Sequence, residues 1–485
     1  MEKSIGVFEK IQEYKSEFCL LLILAMKDVV SEISKAVEAN EYVGTYYEWP
    51  SISYRKNGMP DMSTSSFNGP KDYSSLFHTL GRPSSINESE IKSFLTFVDF
   101  VSSKPLLEGR FIKSQWKKID DGMMPRVIKH TIFHIITQAA TRYIETHDTF
   151  VFDSEKAKVI VENIQNYVFS SSLSIDIVIP VLFIKFEFEH YEINDGMEIR
   201  RLTDAEQLAR YKATSFNVSV HNTVLASATH ALVLKDWYVE NTECSFDFNI
   251  LSNIRAYPVD IINKYFGSIR LCTDIETGYA QVFSIGKGWG RHQKAYLPNV
   301  EGISTRSYPP ILEDYYWNSE SIPSISLSKA KEIGSVFINL TNANENSIDL
   351  AMKRLNLCMV RDDEEDSVID ATIALEALLS DDSKQEMTHK LAMRAGALSK
   401  ISLDFEKTPQ QVFNDIKSIY SYRSAIVHGS KNLTKKRLIA IDEKNSVTTH
   451  SLAVHYLKML LKIIIDNPKY RDPKTIDNEL LLGKL

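Results

Sequence analysis

The sequence predicts a multidomain α+β protein. It divides into a mostly helical N-terminal region over residues 1–170, a β-rich middle domain over 171–325 and an all-α helical bundle over 326–485. Three observations lead there. A chain of 485 residues exceeds one ordinary core, so about two to four domains are expected. Apolar residues recur at three- and four-residue spacing before residue 170 and again after 326. Between these stretches, β-branched and aromatic residues alternate with polar ones at period two.

In chain order, Phe8, Ile11, Phe18, Leu21, Leu22 and Met26 make an apolar stripe that predicts a helix over 5–39, with Asn40 as its stop. Periodicity vanishes over 42–84, where Gly, Pro, Ser and Asn accumulate, so a long irregular excursion is expected. Helical pattern resumes over 87–101, with Asn87 as a capping residue, then over 125–145 behind Pro125, and over 154–167. Strand pattern occupies 175–189, with Pro180 at an edge or bulge. Asn194-Asp195-Gly196 is a turn signal leading into a return strand over 197–202. A short helix from Thr203 follows, then strands near 218–220, 229–234 and 281–285, as a mixed α/β or β-sandwich domain. From 326 every segment reads as helix: 328–342, 347–361, 364–380, 384–399, 409–428 and 447–466. Short polar connections between them predict an antiparallel bundle.

Composition limits the class. Hydrophobic content of 44% and charged content of 25% are those of a soluble globular protein. A net charge of −7 argues against a chain coated in nucleic acid. Residues 381–437 nevertheless carry 11 Lys and Arg against 6 Asp and Glu, a local basic surplus. Cys19, Cys244, Cys272 and Cys358 are widely separated and form no zinc or disulfide framework, which fits a reducing cytoplasm. The start shows no signal-peptide pattern, and the apolar run 18–26 is too short to span a bilayer. A cytoplasmic protein without membrane association is expected.

The stretch richest in chemistry is Ser418-Ile-Tyr-Ser-Tyr-Arg-Ser-Ala-Ile-Val-His-Gly429. Val412, Ile416, Ile419, Tyr420 and Val427 give its helix one apolar face, and Gly429 suits a helix C-cap. Arg423 offers a permanently charged planar fork that matches a phosphate, and histidine, here His428, is the side chain that moves protons near neutral pH. The two are chemically suited to breaking a phosphodiester bond without a metal. Five positions on a helix rotate by roughly 140°, so they do not share a face unless the helix bends or a second copy completes the site. The plain alternative is a surface arginine and a histidine capping the last carbonyls. Glu376, on an apolar helix, calls for a cation, with Arg394 or Arg423 as the candidates. Lys435, Lys436 and Arg437 form a basic segment just after the motif.

Two further groups carry candidate chemistry. His130 and His134 stand four residues apart, a spacing that chelates zinc, but the apolar neighbours Ile132, Phe133 and Ile135 predict core histidines and no metal. Gly286-Lys-Gly-Trp-Gly-Arg-His292 follows a strand and fits neither a Walker A nor a dinucleotide fingerprint. Its bland reading is a tight turn. Its sharper reading is an RNA-binding loop in which Trp289 stacks on a base while Lys287 and Arg291 meet phosphates.

Tyr420 to Gly429, taken with Asp370-Ala-Thr-Ile-Ala-Leu-Glu-Ala-Leu-Leu379 and the helix around Arg394, resembles the HEPN superfamily, and within it the ApeA-like domains of prokaryotic defence proteins. That family carries an Arg, a polar residue, three variable positions and a His, matched here by Arg423, Ser424, 425–427 and His428. The likeness covers about the last third of the chain. It departs from the wider superfamily at Ser424, where Asn, Asp or His is usual. The resemblance implies a C-terminal HEPN bundle acting as a metal-independent endoribonuclease that needs no cofactor. It implies a homodimer whose two Arg-His motifs face each other, an RNA substrate, and a role in antiphage abortive infection released by a phage-derived trigger. In that frame Arg423 and His428 are catalytic, and Ser424, Glu376 and Arg394 are supporting. Lys435, Lys436, Arg437, Lys287, Trp289 and Arg291 are RNA-binding. The alternative is a non-catalytic HEPN module that dimerises, binds RNA or a nucleotide, and assembles an N-terminal sensor.

Overall fold

A computed structural model describes residues 2–65, 69–77, 85–111, 123–213, 220–241, 251, 253–290, 295–314, 321–343, 345–381, 386–401, 407–431, 433–440 and 446–483. The chain is a mixed helix-and-sheet protein with a helical N-terminal part and a sheet-rich middle. In place of three consecutive domains it forms two compact units, each built from separate segments. The first comprises Met1–Pro180, Asn194–Tyr257 and Gln281–Thr305. The second comprises Val181–Ile193, Pro258–Ala280 and Arg306–Leu485.

In the first unit the expected opening helix is divided. Glu2–Ile11 (α1) gives way to a 3-10 turn at Gln12–Tyr14, and Lys15–Glu38 (α2) follows. Gln12 Nε2 donates to the Phe169 carbonyl at 2.8 Å and anchors the break. Phe18, Leu22, Ala25, Met26, Val29 and Ile33 bury one side of α2, and Asn40 ends it at φ +61. Packed on α2 are Lys92–Ser102 (α3), Met124–His147 (α4) and Ser154–Phe169 (α5). Phe18 meets Phe97 and Phe169 edge-on at 5.1 and 5.2 Å. Asn87 caps only a 3-10 turn, Glu88–Glu90, and the helix proper starts later than its pattern suggested. Asp153 caps α5 through the amide of Glu155 at 2.9 Å.

The 42–84 stretch is more regular than expected. Trp49–Tyr54 (β1) and Pro60–Ser65 (β2) pair as an antiparallel hairpin. Its turn uses Gly58 at φ +83, with the Asn57 carboxamide accepting from the Met59 amide at 3.1 Å. The main sheet of this unit uses Ser172–Pro180 (β3), Met197–Arg201 (β4), His230–Glu240 (β5), Tyr279–Gly286 (β6) and Val300–Ser307 (β7), in the order β7-β6-β3-β5-β4. It is one sheet, with no sandwich partner among the described residues. The bulge falls between Ile175 and Ile177, while Pro180 pairs regularly with Ala231. Thr203 and Glu206 form a capping box that starts Asp204–Lys212 (α6). Of the expected strand over 175–189, the part 175–180 lies in β3 and Lys185–Phe186 is extended again.

The second unit holds the C-terminal helices: Val259–Cys272 (α7), Leu327–Ala343 (α8), Asn346–Val360 (α9), Glu364–Leu379 (α10), Met387–Leu398 (α11) and Pro409–Val427 (α12). Leu433–Lys436 (α13) and Thr449–Asp466 (α14) complete the set. One apolar core runs through them, including Leu355, Leu375, Leu398, Ile419, Leu457 and Leu461. Between α9 and α10 the buried Asp370 accepts from Arg361 Nε at 2.6 Å and from Arg354, so its charge is neutralised twice. Not everything after residue 326 is helix. Leu438–Ala440 (β8) and Ser446–Thr448 (β9) form a short hairpin, and α14 begins two residues later than its pattern predicted. Among the described residues no helix is long and apolar enough to cross a membrane. Cys19, Cys272 and Cys358 are free thiols, and Cys244 lies outside the described residues.

Candidate active site

Helix α12 begins at Thr408, whose hydroxyl and the Gln411 carboxamide form a capping box ahead of Pro409. Val412, Ile416, Ile419, Tyr420, Tyr422 and Ala425 are buried along it. Val427 lies two residues past the last of these and is 52% exposed, so the apolar face stops short of the sequence pattern. The C-terminal turn closes as a Schellman motif. Gly429, at φ +60, donates its N–H to Ile426 O at 3.2 Å, and Ser430 donates to Ala425 O at 2.9 Å. Backbone amides therefore satisfy the last carbonyls, and the His428 side chain is not needed as a cap. Its ring is exposed and makes no hydrogen bond or ion pair with a described residue. Ser424, one turn earlier on the same side, is exposed as well.

Arg423 is half-buried, and its Nε is shielded from solvent without an acceptor. Among the described residues the guanidinium forms no ion pair. Its charge is felt at the Tyr420 hydroxyl, which donates to Thr372 O at 3.2 Å. Burial raises the Tyr420 phenol well above its ordinary range; Glu376 adds to that rise and Arg423 opposes it. Glu376 and Arg423 thus flank one phenol without pairing, and the expected Glu376 ion pair is not formed with either arginine.

Arg394 differs completely. Nearly fully buried, it donates from Nε and Nη2 to the Asp477 carboxylate at 2.8 and 2.7 Å. It also donates from Nη2 to Asp381 at 2.6 Å and from Nη1 to Leu379 O at 2.6 Å. The Asp477 hydrogen bond is the largest cause of its raised pKa. This guanidinium clasps the end of the bundle and commits four of its five donors to the fold.

Of the basic segment, Lys435 is exposed, Lys436 Nζ donates to Ser421 O at 3.3 Å, and Arg437 pairs with Glu364 at 2.9 Å. The structure also brings forward His450, in the first turn of α14. It is half-buried, with Nε2 unpartnered and its pKa lowered chiefly by burial, against the charge of Glu364. Nothing in the sequence separates it from other helix-surface histidines.

The glycine-rich loop is a tight turn. Trp289 is 8% exposed, donates from Nε1 to Ser174 O at 2.6 Å, and stacks on Tyr167 at 6.0 Å. It has no face open to a base. Lys287 is held by Asp236 at 2.9 Å and Asp176 at 3.4 Å, and Arg291 lies outside the described residues. His130 and His134 are exposed, contrary to the expected core position, because Ile128, Ile132, Ile135 and Ile136 bury the other side of α4. Among the described residues no three His, Cys, Asp or Glu side chains converge on a metal position. No protein-family model, curated protein or solved structure matches the chain.

Proposed function

We propose that the chain is a metal-independent endoribonuclease of the HEPN type that acts in antiphage defence by abortive infection. The observation that carries this reading is the half-buried, unpartnered guanidinium of Arg423, five residues from an exposed His428 on a Schellman-closed helix end. A shielded N–H without an acceptor costs about 1–3 kcal/mol, and an incoming phosphate oxygen removes that cost. In the proposed reaction an RNA 2′-hydroxyl attacks the adjacent phosphorus and the P–O5′ bond breaks. The products are a 2′,3′-cyclic phosphate and a 5′-hydroxyl. His428 transfers the protons and Arg423 stabilises the charge growing on the phosphate. DNA lacks the attacking hydroxyl and is not cut. Arg423 and His428 lie roughly 140° apart around α12, so a second copy of the bundle supplies the facing half of each site.

That same angle supports a second reading, in which the bundle is a non-catalytic dimerisation or RNA-binding module assembling a sensor. Neither side chain bonds to a described residue, so both readings expect His428→Ala to fold, and cleavage decides between them. Wild type and His428→Ala are expressed for growth and incubated with RNA in EDTA. Toxicity and cleavage by the wild type alone support the nuclease. Equal inertness of the two, with and without phage infection, supports the module.

A further inference from the structure

We infer that His130 and His134 form an open, bidentate site for a late first-row divalent metal ion on the first unit. The inference is independent of the nuclease reading. The two rings stand four residues apart on α4, with centroids 4.7 Å apart and planes at 74°. Neither ring has a hydrogen bond or ion pair with a described residue. Residues at this helical spacing have Cβ atoms about 5–6 Å apart, close enough for two imidazoles to offer one nitrogen each to a single ion at about 2.0–2.1 Å. The platform is rigid, because Ile128, Thr131, Ile132, Ile135 and Ile136 hold the opposite face of the helix in the core.

Two surrounding features favour a cation. The Asp72 carboxylate supplies negative charge near His134; one of its oxygens caps the turn at Ser74 and the other has no such role. One turn beyond His134, the Gln138 Oε1 is buried with no hydrogen-bond partner. A water on the metal is a donor of the kind that orphaned oxygen lacks. Two imidazoles select Cu²⁺, Ni²⁺ or Zn²⁺ over Mg²⁺ or Ca²⁺. Thr131 stands directly after His130, where helical zinc hydrolases place a glutamate base. The site therefore binds and does not hydrolyse, with its remaining positions open to water or to a donor from another molecule.

The test uses untagged full-length protein stripped with EDTA and then freed of it. Ni²⁺ titration by calorimetry is expected to show saturable, equimolar binding, and bound Cu²⁺ is expected to show coupling to two imidazole nitrogens in its electron paramagnetic resonance spectrum. His130→Asn and His134→Asn, both at exposed positions, are each expected to weaken binding by about tenfold or more with unchanged helicity. The double variant is expected to abolish it. Absence of saturable binding by the wild type overturns the proposal, as do coupling to a single nitrogen and undiminished binding by the variants. RNA cleavage in EDTA is unaffected by any of these results, so the two readings fail separately.

Discussion

Arg394 and Arg423 sit on adjacent helices of one bundle, both in apolar surroundings, yet the fold treats them in opposite ways. Arg394 spends its donors on Asp477, Asp381 and a carbonyl. Arg423 has a shielded Nε that meets nothing. Burial of a guanidinium therefore does not by itself mark a site. One arginine closes a structure, and the other is left available for a ligand that brings its own oxygens.

The sharpest way to break this comparison is to exchange the expected losses. Arg394→Ala should lower unfolding stability by about 3 kcal/mol, because it removes the buried cation shared by Asp381 and Asp477. A denaturant midpoint that does not move would remove the distinction. His428→Ala should reduce RNA cleavage by about 10²-fold or more while stability stays within about 0.5 kcal/mol. Arg423→Met should behave likewise in cleavage and leave stability unchanged or slightly raised, since a methionine fills the same space without an orphaned donor. A midpoint drop as large as that of Arg394→Ala would show a structural role for Arg423.

Smaller effects test the helix end. Gly429→Ala meets no atom within 4 Å, so its expected cost of about 1 kcal/mol is purely that of a side chain at φ +60. It is read as a modest shift in thermal midpoint. Acid provides the smallest effect. Burial lowers the pKa of His450, so the unfolded chain takes up the proton first as pH falls below about 6.5. The contribution of this residue is complete above that pH and is lost towards the lower folded value. His450→Gln should flatten the fall of stability between about pH 7 and 5. An unchanged slope would place the acid sensitivity elsewhere, with His134 and His455, also lowered by burial, as the next candidates.

The parts of this molecule legible in the sequence are those set by neighbours along the chain. The helix over 409–428 follows from its apolar spacing, and its end follows from Gly429. The Thr203 start follows from a box of four residues. What escaped depends on distant partners. Trp289 becomes a core residue only because Ser174 and Tyr167 lie beneath it. Arg394 finds Asp477, 83 residues away, in preference to Glu376, which is nearer along the chain. The histidine pair is exposed for a different reason. Adjacency to apolar residues does not bury a helical side chain: 128, 132, 135, 136 and 139 trace one face and leave 130 and 134 on the other. The hairpin at 49–65 was hidden because its outer residues are serine and threonine, which read as loop until the Asn57-Gly58 turn pairs them.

The clasp on Arg394 also has a kinetic consequence. Because the carboxylate that neutralises it lies 83 residues further along, a chain made from its N-terminus reaches α11 long before Asp477 exists. Until that turn arrives, docking α11 buries a cation with only Asp381 beside it, so the bundle gains its final cooperativity late. Assembly of the helix that bears Arg423 and His428 is thereby coupled to a segment synthesised well after it, and that surface is not finished ahead of the turn that carries Asp477.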